Sequence, residues 1–339
     1  MGRCWGCCQE NCGYQTNCSC SCHYKEEQER KAEEETVLEN TVLVSHRSCL
    51  DGSACAVVFL VAGGKRENIY FTQPSHEDSD EVVDRCVENH TGPILVADVS
   101  ISLSLAEKYD QRNTDIVVLD HHKTATPLNK FDWCEIEVEN NRAGGMMLYD
   151  HLKTIIEQKN KHKAHTLRKF VEAVDDHDRW VHAQPCSKDL NTFHEIIEQE
   201  AFVDRFSKNT FVALSDKEKY VVETYKEKCK RYVERKKRDV VFFTRIVQGR
   251  FVKIGVVEAG DNQSILGNAI CSDPELGCDI AILCNGQSVS LRSGVDCLVD
   301  LSVVAKLNGG GGHFHAGGTS LGKVLGENFA EHTYKKLKF

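Results

Sequence analysis

Aspartate, histidine and cysteine recur in this chain in four short segments. The first is Ser45-His46-Arg47-Ser48-Cys49-Leu50-Asp51-Gly52 and the second is a single Asp98. The third is Asp120-His121-His122 and the fourth is Asp175-Asp176-His177-Asp178. Carboxylate and imidazole together suit Mn²⁺, Fe or Zn²⁺ rather than Ca²⁺. A carboxylate shared by two ions about 3.5–4 Å apart would make a hydrolytic centre. Such a centre lowers the pKa of a bound water and neutralises charge on a phosphoryl oxygen. A lone Asp at a strand end is more often a helix cap or a turn former. Capping does not require the same residue types to recur at three strand ends with two adjacent His. Asp98 and Asp120 also follow hydrophobic residues, so burial is expected, and a cation is the natural partner of a buried carboxylate.

A second group lies near the end of the sequence. Ser290-Leu291-Arg292-Ser293 closes a strand-like run with an Arg, a bidentate phosphate ligand. Gly309-Gly310-Gly311-Gly312-His313 follows shortly after. Consecutive glycines open backbone conformations closed to other residues, and successive amides can form an anion-binding nest. Arg292, Ser293, Gly310, Gly311, Gly312 and His313 are therefore the expected substrate-binding residues. The alternative is a flexible linker, which the strand-like stretch from Gly318 to Leu321 opposes.

These residues need a frame. Thr41–Ser45, Ile69–Thr72, Pro93–Val99 and Asp115–Leu119 are short apolar, β-branched runs. Helix-like segments at Gly52–Ala62, Glu77–Glu88 and Ser102–Tyr109 separate them. That alternation predicts βαβ units and a mostly parallel, doubly wound α/β sheet. In such sheets the site lies beyond the carboxyl ends of the strands, where the Asp and His segments fall. Ala143 to about Asp176 reads as helical, and so does much of Leu190–Arg238. Within the latter, Asp216–Arg238 has apolar residues at helical spacing and a basic run, read as a solvated face rather than a phosphate contact. Strand-like runs return at Val241–Val247, Phe251–Val257, Asp279–Leu283 and Ser288–Arg292, with helix candidates at Gln263–Cys271 and Val299–Leu307. The expected organisation is an appendage over 1–40, a metal-binding catalytic domain over 41–190 and a helical connector over 191–240. A smaller α/β substrate-binding domain over 241–325 and a tail over 326–339 follow.

The composition narrows the function. The 339 residues, 41% hydrophobic and 27% charged, suit a globular chain of two domains. A net charge of −9 opposes a role in wrapping long duplex nucleic acid. No run approaches the roughly 18 apolar residues of a membrane span. No signal-peptide core is visible, and the chain is read as cytoplasmic. Seven of the 17 cysteines stand in the first 22 residues: Cys4, Cys7, Cys8, Cys12, Cys18, Cys20 and Cys22. They match no standard zinc knuckle. An unstructured appendage, a Zn²⁺ site and lipidation at Gly2 and Cys4 stay open.

The ordered set of Asp98, Asp120-His121-His122 and Asp176, followed by Ser290 to Gly318, resembles the DHH phosphoesterase superfamily with its C-terminal DHH-associated domain. The resemblance covers residues 41 to about 325. It is nearest to the nano-RNase-like and oligoribonuclease-like phosphodiesterases. It implies two divalent ions, usually Mn²⁺, between the domains. His46 would bind the first, Asp98 would bridge both, and Asp51, His121 and Asp176 would hold the second. Asp120 and Asp178 would orient the ligands or the metal-bound water, and His122 would contact the scissile phosphate. A metal-activated water would attack phosphorus in line. Arg292 and the Gly310–His313 loop would clamp the far phosphate or the terminal nucleotide.

Cys49 stands where many members carry an Asp. Thiolate suits Zn²⁺ or Fe and is a poor partner for Mn²⁺, so a different metal, a weaker first site or a single ion follows. Cys49 as a ligand and Cys49 as a small filler both stay open. The implied substrate is a short oligonucleotide or a linear or cyclic nucleotide phosphodiester. The alternatives are a nucleotide sensor with a decayed metal site, and a pyrophosphate or polyphosphate hydrolase. The oligomeric state is not readable.

Overall fold

The computed structural model describes residues 37–138, 142–286 and 288–320. The cysteine-rich head, the charged run from Lys25 to Glu35 that follows it and the tail lie outside the described residues. The first sheet has five strands: β1 (Val42–His46), β2 (Ile69–Thr72), β3 (Ile94–Ala97), β4 (Ile116–Asp120) and β5 (Cys134–Ile136). Their order is β2-β1-β3-β4-β5, and every pair is parallel. β5 was not expected, since its three residues include Glu135 and carry too little apolar pattern to read as a strand. The chain runs from β1 outward to β2 and then crosses to β3 on the other side. That reversal opens a crevice at the carboxyl ends of β1 and β3.

Helices cover both faces. α1 (Leu50–Ala62) follows β1 and is buried at every residue but Leu60, which is why it is apolar all round instead of striped. It shares a core with Leu43, Leu95 and Leu119 of the sheet and with α4 (Gly144–Lys159), α5 (Lys161–Asp178) and α6 (Pro185–Lys208). α2 (His76–Asn89) and α3 (Leu103–Arg112) cover the opposite face over Val42, Val44, Val96 and Val118. The helical stretch expected from Ala143 to Asp176 breaks at Asn160. There the side-chain oxygen accepts from the Lys163 amide at 2.9 Å and starts α5 as a new helix.

α7 (Asp216–Lys237) begins with a capping box between Ser215 and Glu218 and buries Val222, Cys229 and Val233. Part of its basic run is paired: Lys226 with Asp189 and Glu223, Lys237 with Glu234 and Asp273. The second sheet comprises β6 (Val241–Val247), β7 (Arg250–Glu258), β8 (Ile280–Asn285), β9 (Ser288–Ser293), β10 (Gly311–Gly312) and β11 (Ala316–Ser320). Its order is β10-β11-β9-β8-β7-β6, with β7 and β8 parallel and the other pairs antiparallel. α8 (Gln263–Cys271) and α9 (Leu301–Leu307) pack on opposite faces of it. No helix among the described residues is long and apolar enough to cross a membrane.

Candidate metal centre

Strand ends deliver the first side chains. His46 closes β1, Asp98 follows β3 and Asp120 closes β4. Asp98 holds a left-handed backbone (φ 61°), a conformation that Asp tolerates better than most residues. The turn after β1 starts α1 with Cys49 as its N-cap: the sulfur accepts from the Gly52 amide at 3.0 Å. Sulfur is an unusual cap atom where an oxygen side chain is preferred. Gly52 permits the turn, because a Cβ there would lie 2.2 Å from the His46 carbonyl oxygen. The start of α4 comes equally close. A Cβ on Gly144 would lie 2.7 Å from that of Asp98, and the Gly145 amide donates to Asp51 Oδ1 at 3.0 Å. These two glycines escaped the sequence reading, although a Gly-Gly pair opening a helix is a visible sign of close approach.

The side chains converge on Asp98. Its Oδ2 lies 3.5 Å from His46 Nδ1 and 3.0 Å from Cys49 Sγ, and its Oδ1 lies 3.3 Å from His121 Nε2. His121 Nε2 is also 3.5 Å from Asp178 Oδ2. Ligand atoms of His46, Cys49 and Asp98 lie within 4.8 Å of one another, and so do those of Asp51, His121 and Asp178. Asp51, Asp98 and Asp120 are 1%, 2% and 0% exposed. Asp51 Oδ2, Asp120 Oδ2 and Asp178 Oδ2 are buried without a hydrogen-bond partner. Cys49, open in the sequence, has its sulfur turned to His46 and Asp98.

The structure places Asp176 and Asp178 apart. Asp176, expected as a ligand, accepts instead from the Ala183 amide at 2.8 Å and the Gln184 amide at 3.1 Å, fixing the turn after α5. Asp178, expected behind the ligands, faces His121 and Asp51. Residues two apart on a helix point about 200° from each other, so only one of the pair can face the centre. Asp175 shares the Asp178 side, three residues back, and accepts from the Ala143 amide at 2.8 Å.

Electrostatics follow from crowding. Burial, and then the charges of Asp98 and Asp178, push the Asp51 carboxyl well above its ordinary range. Burial also raises Asp178, against the pull of His121. Burial acts the same way on Asp98, but hydrogen bonds with His121 and His46 outweigh it and hold the carboxyl well below its usual value. Burial, then Asp98 and Asp51, drive the Cys49 thiol well up. The carboxylates of Asp51, Asp98 and Asp178, two of them with an orphaned oxygen, two imidazoles and a thiol are a donor set that fits divalent cations, which would offset the repulsion.

Beside this cluster, His122 Nδ1 contacts Asp120 Oδ1 at 2.7 Å. The same oxygen accepts from the His121 amide at 2.8 Å. Burial lowers the His122 pKa, but the Asp120 charge overrides it and pushes it up to about 10. His313 arrives from the second sheet, its ring centroid 4.9 Å from that of His122 and 5.4 Å from that of His121. Burial and the two neighbouring imidazoles push His313 down to about 3. An ion pair between Lys123 Nζ and Asp300 Oδ2 (2.8 Å) joins the two sheets at the same place.

The other expected substrate residues are arranged differently. Arg292 is spent on its own strand and on α8, donating to Ser290 Oγ, Leu291 O and Ser264 Oγ. Ser293 is the next residue of β9, so its side chain points to the other face, where it meets His315 Nδ1 at 2.9 Å. The glycine segment is a tight antiparallel pairing rather than an open nest. The Gly310 and His313 amides already donate to Ala305 O and Ala316 O. Glycine is needed at 310 because a Cβ would sit 1.9 Å from Gly318 O.

No protein-family model matches the chain. It is 29% identical over 315 residues to oligoribonuclease NrnB of Bacillus subtilis, covering 86% of this chain and 76% of that protein. Among solved structures it is similar to the DHH domain of a member of a family of ribosomal proteins. That match has a TM-score of 0.55 at 14% identity and covers 93% of this chain and 92% of the other. A looser match, TM-score 0.46 at 14% identity, is to the pGpG-specific phosphodiesterase PggH of Vibrio cholerae, over 87% of this chain and 98% of that one.

Proposed function

We propose that the chain, which is similar over 86% of its length to an oligoribonuclease, is a member of the DHH phosphoesterase superfamily and a metal-dependent phosphodiesterase acting on short oligonucleotides. The observation that carries this reading is the convergence of His46, Cys49, Asp51, His121 and Asp178 around one buried carboxylate, Asp98. His46, Cys49 and Asp98 would hold one cation, and Asp51, His121 and Asp178, with Asp98 between, a second. Bound there, the cations supply Lewis acidity toward a phosphoryl oxygen and an activated water. Mn²⁺ suits the second set. The thiol of Cys49 shifts the first toward Zn²⁺ or Fe.

The chain's own residues do the rest. Asp120 fixes the His122 ring by its Nδ1, leaving Nε2 as the donor to an incoming phosphate. A His122 that stays protonated adds positive charge beside the scissile group. His313, held neutral, packs across from it and closes the space from the second sheet. The likeness to an oligoribonuclease supports a short single-stranded substrate.

The test is hydrolysis of a dinucleotide such as pApA by the full chain, stripped of metal and then given Mn²⁺, Zn²⁺ or Fe²⁺. The expected result is cation-dependent release of mononucleotide, reduced more than about 100-fold by Asp98→Asn, a substitution that keeps the left-handed backbone accessible. Tight dinucleotide binding without cleavage under every cation would make the protein a sensor. Orthophosphate release from pyrophosphate alone would make it a pyrophosphatase.

A further inference from the structure

Between β1 and α1 the chain reverses in three residues, with Ser48 in the left-handed region (φ 61°). This turn sets where His46 and Cys49 stand on either side of Asp98. The sheet holds only its first residue, the Arg47 amide donating to Thr72 O at 2.8 Å, and Ser48 and Cys49 lie beyond that contact. One side chain, 151 residues further on from Ser48, meets its backbone groups. Gln199 Oε1 accepts from the Ser48 amide at 3.1 Å, and Gln199 Nε2 donates to the His46 carbonyl at 3.1 Å. The second Nε2 hydrogen reaches Ser53 Oγ at 3.2 Å. The Ser53 hydroxyl in turn donates to the Cys49 carbonyl at 2.8 Å and lies 2.8 Å from His194 Nε2. The Gln199 amide is thus used in full, one acceptor and two donors, and each contact leads to the residues flanking the turn.

Gln199 reaches the turn only because α6 is broken one residue earlier. Glu198 has φ 63° and ψ 167°, a backbone region nearly confined to glycine. Strain of this kind persists where surrounding contacts hold it, and it clusters at functional sites. Here the break aims an amide out of the helix and at the turn.

We propose that Gln199 is a positioning residue that clamps the turn carrying His46 and Cys49 and thereby sets cation affinity in the His46–Cys49–Asp98 half of the centre. The effect on affinity rests on the cation reading of the cluster. The chemistry requires glutamine: Glu has the same shape but no donors, and Asn is one methylene too short to make all three contacts.

The experiment compares the full chain with Gln199→Glu and Gln199→Leu. Calorimetry with Mn²⁺ and with Zn²⁺ reads affinity. Amide hydrogen exchange on the metal-free chains reads the turn. Both variants are expected to lose about 10–100-fold in cation affinity, as loss of a partner behind a metal ligand does elsewhere. The Ser48 amide, from which Gln199 accepts, is expected to exchange faster, while the Arg47 amide, held by Thr72 O, is not, with the thermal midpoint nearly unchanged. Unchanged affinity and unchanged exchange overturn the proposal. So does an affinity loss that merely tracks a general loss of stability. A parent chain that binds neither cation overturns the cation reading instead, and the metal-free exchange comparison still decides whether Gln199 holds the turn.

Discussion

At the scale of single residues, the centre depends on which carboxylate of each helical pair faces inward. Asp176 and Asp178 look equivalent in a sequence, and the family resemblance favoured Asp176. Helical geometry separates them. Asp176 is satisfied by two amides of the following turn, whereas the Asp178 oxygen that lies 3.5 Å from His121 Nε2 makes no hydrogen bond. Asp178→Asn is therefore expected to lower Mn²⁺ affinity about 10-fold or more while leaving the fold intact. Asp176→Asn is expected to destabilise the chain by about 1–3 kcal/mol through the one amide that its NH2 group can no longer accept from, with affinity largely kept. Calorimetric titration paired with urea denaturation separates these outcomes, and the reverse pattern would restore Asp176 as the ligand. Residue types and their order were legible for His46, Asp51, Asp98, Asp120, His121 and His122, because each lies at or beside a strand end. Side-chain direction was not. Nothing in the sequence turns Cys49 toward Asp98 or commits Arg292 to Ser264.

At the scale of elements, α6 is the least legible and the most telling. Its break at Glu198 and the contacts of Gln199 and His194 with the first turn span about 150 residues of sequence, and no local pattern announces them. Four of the five strands of the parallel sheet, by contrast, were legible because buried strands are short apolar runs, and β5 carries no such run. His194 makes the buried contact of α6 testable. Burial pushes its ring down to about 4, so folded His194 stays neutral where an unfolded chain's imidazole, near 6.5, is charged. The unfolded state then binds the extra proton, and stability present above pH 6.5 is lost as pH falls toward 4. The loss from this residue amounts to at most about 3 kcal/mol. His194→Gln, which still offers a donor to Ser53, is expected to flatten that part of the acid dependence in urea midpoints taken between about pH 7 and about pH 4.5. An unchanged slope would mean that His194 does not titrate differently on folding.

At the scale of the whole molecule, the two sheets meet where the chemistry is expected. His313 reaches across to His122, and Lys123 is paired with Asp300, which is also the N-cap of α9. Asp300→Asn keeps a capping side chain and removes the charge. A half-exposed ion pair is worth about 1 kcal/mol or less, so the expected effect is a few-fold rise in KM for a dinucleotide with kcat little changed. A fall in kcat with KM unchanged would assign the pair to the chemical step instead. That the glycine-rich segment and the Asp- and His-bearing segments would meet was legible only through the family resemblance. The close backbone pairing that makes Gly310 a glycine had to be seen. The central claim, that Asp98 stands at the middle of a cation centre, is tested most directly by counting bound metal. Equilibrium dialysis against Mn²⁺ and against Zn²⁺ is expected to leave at least one ion on the parent chain and to leave Asp98→Asn with markedly less. A folded parent chain that retains no ion, or an Asp98→Asn chain that retains as much as the parent, would contradict it.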